Sequence, residues 1–342
     1  MSGALVAAVL TDPGRATALS SGEWNALIAA ARAEQLIGSL AVRLDGLPVP
    51  PAAARLLTDA RASAEQGRVA ALWEAEMARR ALAPLGMPVV LLKGTAFVAA
   101  GLDAGRGRSI GDLDILVPRD ALDAVEAALL AAGWEWVKPD PYDDAYYRRW
   151  MHELPPLIHR ERDRMIDVHH TILPPTARPT PDAAALIADA VPLTGGLSVL
   201  CPADMVIHAA AHLFADGDLQ GGLRNLWDID RLVREFTYHD TDFLLDLIEQ
   251  AHRHQLVPTV IRALRLANRI FGTPLIEYDD PLHLRFNPVP SDALFARRLL
   301  ARDGWGRLRH KGTEFGFYVR SHWLRMPPVM LARHLWTKFR KK

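Results

Sequence analysis

One cysteine, Cys201, stands in 342 residues, which excludes an intramolecular disulfide and any multi-cysteine zinc site. Half the residues are apolar (50%), yet no run approaches the ~20 consecutive apolar residues of a membrane-spanning helix. An excess of one charge is also missing. Lysine plus arginine and aspartate plus glutamate number 40 each, so the whole chain has no strong pull toward nucleic acid or an anionic membrane. The apolar start from Met1 to Leu10 carries no basic residue and is cut short by Thr11-Asp12-Pro13. A secretory signal is therefore not expected, and the cytoplasm is the expected compartment. Dinucleotide-binding Gly-x-Gly-x-x-Gly and P-loop spacings are absent. Cys201, beside Pro202, has no activating neighbour in sequence.

What the chain does have is Ser109-Ile110-Gly111-Asp112-Leu113-Asp114-Ile115-Leu116-Val117. Leu113, Ile115 and Val117 alternate with the two acids, which reads as a half-buried strand with both carboxylates on one face. Two carboxylates that close repel, by up to ~4 kcal/mol at about 4 Å and an effective dielectric constant of about 20. A divalent cation turns that repulsion into attraction, and oxygen ligands suit Mg²⁺ or Mn²⁺. The plainer alternative is a strand end whose acids face water.

Upstream, Pro88-Val89-Val90-Leu91-Leu92 is an apolar strand that runs into Lys93-Gly94-Thr95, with a helical stretch to Leu102. A strand, a glycine and a helix start let backbone N–H groups approach a phosphate, and Lys93 could reach it as a point charge. Arg106 and Arg108 lead into the acids, and their guanidinium forks match phosphate oxygens. A solvated strand end and a basic loop are the competing readings. A third acid lies in Met165-Ile166-Asp167-Val168-His169, where Asp167 and His169 share one face of a second strand. Leu157-Ile158-His159-Arg160 before it suggests a hairpin. Should Asp167 not be the third acid, Asp163 and Asp143 are the next candidates.

Together these residues resemble the nucleotidyltransferase fold of the DNA polymerase β superfamily, and most closely its bacterial branch, nucleotidyltransferase family 5. The likeness is firm from Pro88 to His170 and looser from Pro202 to Leu232. It implies an α+β fold: a small mixed sheet with helices, flanked by N-terminal and C-terminal helical regions. In that likeness Gly94-Thr95 takes the place of a glycine-serine pair, Asp112 and Asp114 form the metal-binding pair, and Asp167 is the third acid. Lysine before the glycine and a long gap from Gly94 to Asp112 depart from many superfamily members but fit family 5. The implied reaction moves a nucleoside monophosphate from a nucleoside triphosphate, expected to be ATP, onto an acceptor that the sequence does not identify. The three acids would hold one Mg²⁺ (or Mn²⁺), Asp112 and Asp114 a second, and Asp167 would act as general base. Lys93, Gly94, Thr95, Arg106 and Arg108 would contact the nucleotide. A catalytically inactive nucleotide- or partner-binding module of the same fold, and a metal-dependent phosphohydrolase, are the alternatives.

Composition divides the chain into a helical region at 1–86, a catalytic core at 87–172 and a mainly helical region at 173–342. Ser21 is expected to cap a helix through Ile37, a long helix to run from about Ala62 to Leu82, and Asp120 to cap a helix from Ala121 to Ala132. Leu173 to Pro181 reads as a linker. Beyond it, Asp204, His208 and His212 lie four apart on a helix opened by Pro202. No glutamate supports the histidines, so no zinc is expected there. The favoured reading is a polar seam in which these histidines hydrogen-bond Asp204, or Asp228 on the next helix beside Arg224, Asn225 and Asp230. His169, His208, His212 and Asp228 are the candidates for the cleft wall. The basic, aromatic tail from Trp323 to Lys342 could contact a partner or membrane surface, although a packed or solvated helix is the expected state.

Overall fold

The computed structural model describes residues 2–216, 218–275 and 289–325, together with Trp336. Alternating apolar residues build its sheet. Val90–Leu91 (β1), Asp112–Leu116 (β2), Trp134–Trp136 (β3), Leu157–His159 (β4), Met165–His169 (β5), Val191–Pro192 (β6) and Ser198–Val199 (β7) pair in the order β3-β4-β5-β2-β1-β7-β6. The sheet is mixed. The β2–β5 and β1–β7 pairs are parallel and the others antiparallel. The expected hairpin is present, with Leu157 opposite Ile166. Leu113, Ile115, Ile166 and Val168 are all buried, so one face of the central pair is core and the other carries the acids. β6 and β7 come from beyond the expected 87–172 core and extend the same sheet.

Helices surround this sheet, giving the α+β architecture expected. The long helix starts at Pro51 rather than near Ala62 and runs to Leu82. Its first residue comes from the proline-rich break itself, because proline's missing N–H costs nothing at the first helical position. Ser20, not Ser21, caps the first predicted helix: its Oγ accepts from Glu23 N while Glu23 Oε2 accepts from Ser20 N at 2.9 Å. That helix ends at Ala33, and Gln35 turns the chain with φ +55° into a separate helix, Ile37–Arg43. Asp120 does not cap. It lies in the tight turn Arg119–Ala121 that precedes the helix Leu122–Ala131.

The C-terminal helices Pro202–Ala211, Gly222–His239, Phe243–Arg253 and Val257–Phe271 pack into the same apolar core as the sheet. Pro202 occupies the first turn of its helix, as expected. That helix passes directly into a wider π turn, His212–Asp216, a local irregularity often found at functional sites. The expected basic tail begins at Trp323 inside the helix Lys311–Arg325, and apart from Trp336 its residues after Arg325 lie outside the described residues. Among the described residues no helix is long and apolar enough to cross a membrane.

Candidate active site

The site forms where β2 and β5 run side by side. Their parallel register sets Asp114 directly beside Asp167, with Asp112 beside Met165. The side chains of Asp112, Asp114 and Asp167 each bring an oxygen within 4.8 Å of the others. Asp112 is exposed, Asp167 half-buried and Asp114 buried, so the cluster opens to solvent at the start of β2. Asp163 sits on the exposed turn between β4 and β5, with φ +53°, and the side chain of Asp143 lies outside the described residues.

The charges are unevenly met. Lys93 Nζ lies 2.5 Å from Asp114 Oδ1, and His169 Nε2 lies 3.0 Å from the same oxygen. Burial alone would raise the Asp114 carboxyl, but Lys93 and His169 hold it well below the usual carboxylate range. Among the described residues no cation pairs with Asp167, and His169 and Lys93 lower its carboxyl only in part. Burial, then repulsion from Asp114 and Glu153, pushes its carboxyl up to about 7. Lys93 opposes burial through its pairing with Asp114, and its ammonium is held charged. Its backbone sits at φ +49°, a left-handed conformation costing a side-chain-bearing residue of order 1–2 kcal/mol. Leu92 N donates to Asp114 O at 3.0 Å just before this turn, so the backbone twist delivers Lys93 to the acid.

Gly94 and Thr95 follow in the short helix Lys93–Ala99. A Cβ on Gly94 would stand 1.8 Å from Arg108 Nη1, so only glycine lets Arg108 cross there. Thr95 is buried, and its Oγ1 has no hydrogen-bond partner among the described residues. Arg108 is buried. Its Nε lies 3.0 Å from Asp228 Oδ2 and its guanidinium lies over the Phe97 ring at 5.5 Å. It therefore braces the Gly94 helix against Gly222–His239 rather than presenting a free fork. The structure does not bring Arg106 to the acids: it is exposed, pairs with Asp103 at 3.3 Å, and lines a surface cavity with Asp45, Arg61 and Arg68.

The arginine whose charge is felt by the acids from the helical wall is Arg224. It is half-buried, donates to Ser109 O and Asn225 Oδ1, both at 3.3 Å, and lies in the field of Asp112 and Asp114. Burial, then Arg108, lowers its pKa to about 10. Sequence reasoning placed it in the helical seam only. The run Arg224-Asn225 at the start of a helix, just after Gly221-Gly222, was the available signal.

His208 and His212 lie in the electrostatic field of Lys93, Asp114 and His169. Burial, then the charge of Lys93, keeps both imidazoles neutral, with His212 lowered to about 3. The expected seam partners are different, however. Asp228 is taken by Arg108. Asp204 Oδ1 lies 3.1 Å from His254 Nε2, and its Oδ2 accepts from Gln250 at 3.2 Å. Four-residue spacing put Asp204 near the histidine face, but the helix Phe243–Arg253 packs across its first turn and supplies better partners.

Two residues were missed outright, His152 and Glu153. Glu153 forms an isolated antiparallel bridge with His169, and its Oε2 lies 3.5 Å from His169 Nδ1. Nothing in the local sequence marks them, because the bridge is a tertiary contact. The spacing Gly107-Arg108-Ser109-Ile110-Gly111 matches a hydrolase nucleophile elbow, but this run leads into β2 instead of joining a strand to a helix.

A sheet carrying paired acids on β2 and a third on the adjacent β5, walled by helices, defines a nucleotidyltransferase core. The chain belongs to a family described as uncharacterised nucleotidyltransferase, whose model matches residues 20–272. No curated protein matches the chain. Generic nucleotidyl transfer is what this membership supports, and the clustered acids are a candidate metal site.

Proposed function

We propose that the protein is a Mg²⁺- or Mn²⁺-dependent enzyme that transfers a nucleoside monophosphate from a nucleoside triphosphate, ATP being the expected donor, to an acceptor hydroxyl in the cytoplasm. The observation that carries this is the convergence of Asp112, Asp114 and Asp167 within 4.8 Å. The donor set fits the cation: it is all oxygen, and Asp167 carries a negative charge that its surroundings oppose. Asp112, Asp114 and Asp167 would hold it. When bound, it would supply Lewis acidity toward the triphosphate and the acceptor.

The chain's own residues do the rest. The 87–172 core carries the acids, and the flanking helical regions complete the walls. Lys93 and Arg224 supply positive charge toward the leaving pyrophosphate. Gly94 and Thr95 form the close backbone approach, and Arg108 fixes that backbone from behind with Asp228. His208, buried, and His212, half-buried, both neutral, wall the cleft. The acceptor oxygen attacks the α-phosphorus, the bond to the β-phosphate oxygen breaks, and pyrophosphate leaves. Asp167, set beside Asp114 by the parallel register of β2 and β5, takes the acceptor proton.

The test is to incubate the protein with each α-labelled triphosphate, Mg²⁺ and cell extract, and to follow the label. Label joined to an acceptor with release of pyrophosphate, lost in Asp114→Asn, supports the proposal. Label appearing only as free nucleotide would assign a phosphohydrolase, and absence of turnover a binding module; either result overturns it.

A further inference from the structure

Beside the acids lies a second group of ligand-type residues with a different chemistry. His152, Glu153 and His169 each offer one atom within 4.8 Å of the others. They are held by backbone. Leu154 N donates to Val168 O and His170 N to His152 O, both at 2.9 Å, so the 152–154 segment runs antiparallel to the end of β5. Glu153 is thereby fixed opposite His169. Directly opposed residues in such a pair bring their side chains together. The two imidazole rings stand 5.2 Å apart, and Glu153 Oε2 is 3.8 Å from His152 Nε2 and 3.5 Å from His169 Nδ1.

Two features point to a ligand. Among the described residues, His152 is 7% exposed and its Nδ1 has no hydrogen-bond partner, and His169 is 1% exposed and its Nδ1 is likewise without one. The other nitrogen of His169 faces Asp114 Oδ1 at 3.0 Å. A carboxylate behind one ring nitrogen, with the other directed at further donors, is the arrangement that orients and strengthens metal-binding histidines. Burial keeps the His152 imidazole neutral, the form in which it can donate a lone pair.

We propose that His152, Glu153 and His169 form a second cation site, selective for a divalent transition ion of the zinc, cobalt or iron type. Two imidazoles and one carboxylate suit such ions and leave coordination positions open, whereas Mg²⁺ prefers oxygen. The site is distinct from the three aspartates but joined to them through the His169–Asp114 contact. It uses neither His208 nor His212. The competing account is a purely structural contact of His169 with Asp114 and Glu153, which needs no metal.

Co²⁺ distinguishes the two, because its visible absorption reports nitrogen ligation. Metal-stripped, full-length protein is titrated with Co²⁺ in saturating Mg²⁺. One equivalent should bind with a visible band that Mg²⁺ does not remove and Zn²⁺ does. Glu153→Gln and His152→Ala should each abolish the band. Glu153→Gln, which keeps shape, is read alone if His152→Ala fails to fold. Asp114→Asn, acting through His169, should weaken Co²⁺ binding roughly 10- to 100-fold. Absence of the band, its loss to Mg²⁺, or its persistence in Glu153→Gln would overturn the site. Label transfer measured with Mg²⁺ alone, free of transition ions, reads the nucleotidyltransferase proposal separately.

Discussion

The strand pair β2–β5 and the helical wall from Pro202 to His239 treat charge in opposite ways. On the strands, three carboxylates crowd together with one lysine and one histidine, both spent on Asp114. In the wall, acids have dedicated partners: Asp228 with Arg108, Asp204 with His254 and Gln250, Asp230 with Arg231 and Arg234. Like charges left in contact are costly, and a fold retains them where something else completes the site. Paired buried charges brace structure. The strand pair therefore reads as chemistry and most of the wall as support, with Arg224 the exception that leans from wall to site.

The sharpest way to break this contrast is to remove one charge from each region. Asp114→Asn should lower label transfer by at least about 10²–10³-fold, the loss typical of a single electrostatic stabiliser, with folding retained. A rate within a few-fold of wild type would place the chemistry elsewhere. Asp228→Asn should act on stability, because it leaves the Arg108 guanidinium buried and unpaired. Loss of one partner of a buried pair costs about 3–5 kcal/mol, read by denaturant unfolding. The double variant Arg108→Met with Asp228→Leu should recover much of that loss.

Proton linkage separates the regions more finely. Asp167 is the strand acid whose carboxyl is raised, to about 7, so the folded protein binds that proton more tightly than the unfolded chain. Stability from this group is greatest at low pH and falls as pH climbs from about 4, where the unfolded carboxyl titrates, through about 7. In metal-free protein, Asp167→Asn should gain stability relative to wild type across that window, with the difference level above it. Thermal melts across pH check the sign, and a difference that stays flat from acid to neutral would contradict it.

The smallest effects compare two arginines. Arg224→Ala should raise the KM for triphosphate, whereas Arg106→Ala should leave KM unchanged and stability within ~0.5 kcal/mol, as for an exposed pair. Steady-state kinetics on both variants checks the pair.

The same contrast explains what could be read before the structure. Asp112, Asp114 and Asp167 were legible because strand alternation is local and two-residue periodicity fixes a face. Lys93 was legible as a residue but not in its role at Asp114, which depends on a left-handed turn. Arg108 and Asp228 meet across 120 positions, and Arg224 reaches Ser109 across 115; no pattern of residues spans such distances. Glu153 gains meaning only from its bridge to His169. β6 and β7, two residues each, are too short to show alternation.

The proposed chemistry requires Asp112, Asp114 and Asp167 together to hold a divalent cation with nucleotide. Thermal stability with and without Mg²⁺ and a nucleoside triphosphate tests it most directly. At ligand concentrations about 100 times Kd, wild type should gain about 2.7 kcal/mol. The double variant Asp112→Asn with Asp114→Asn should gain nothing relative to its own metal-free melt, which lies below that of wild type because Lys93 and His169 lose their charged partner at Asp114. A full metal-dependent gain in that double variant would contradict the account.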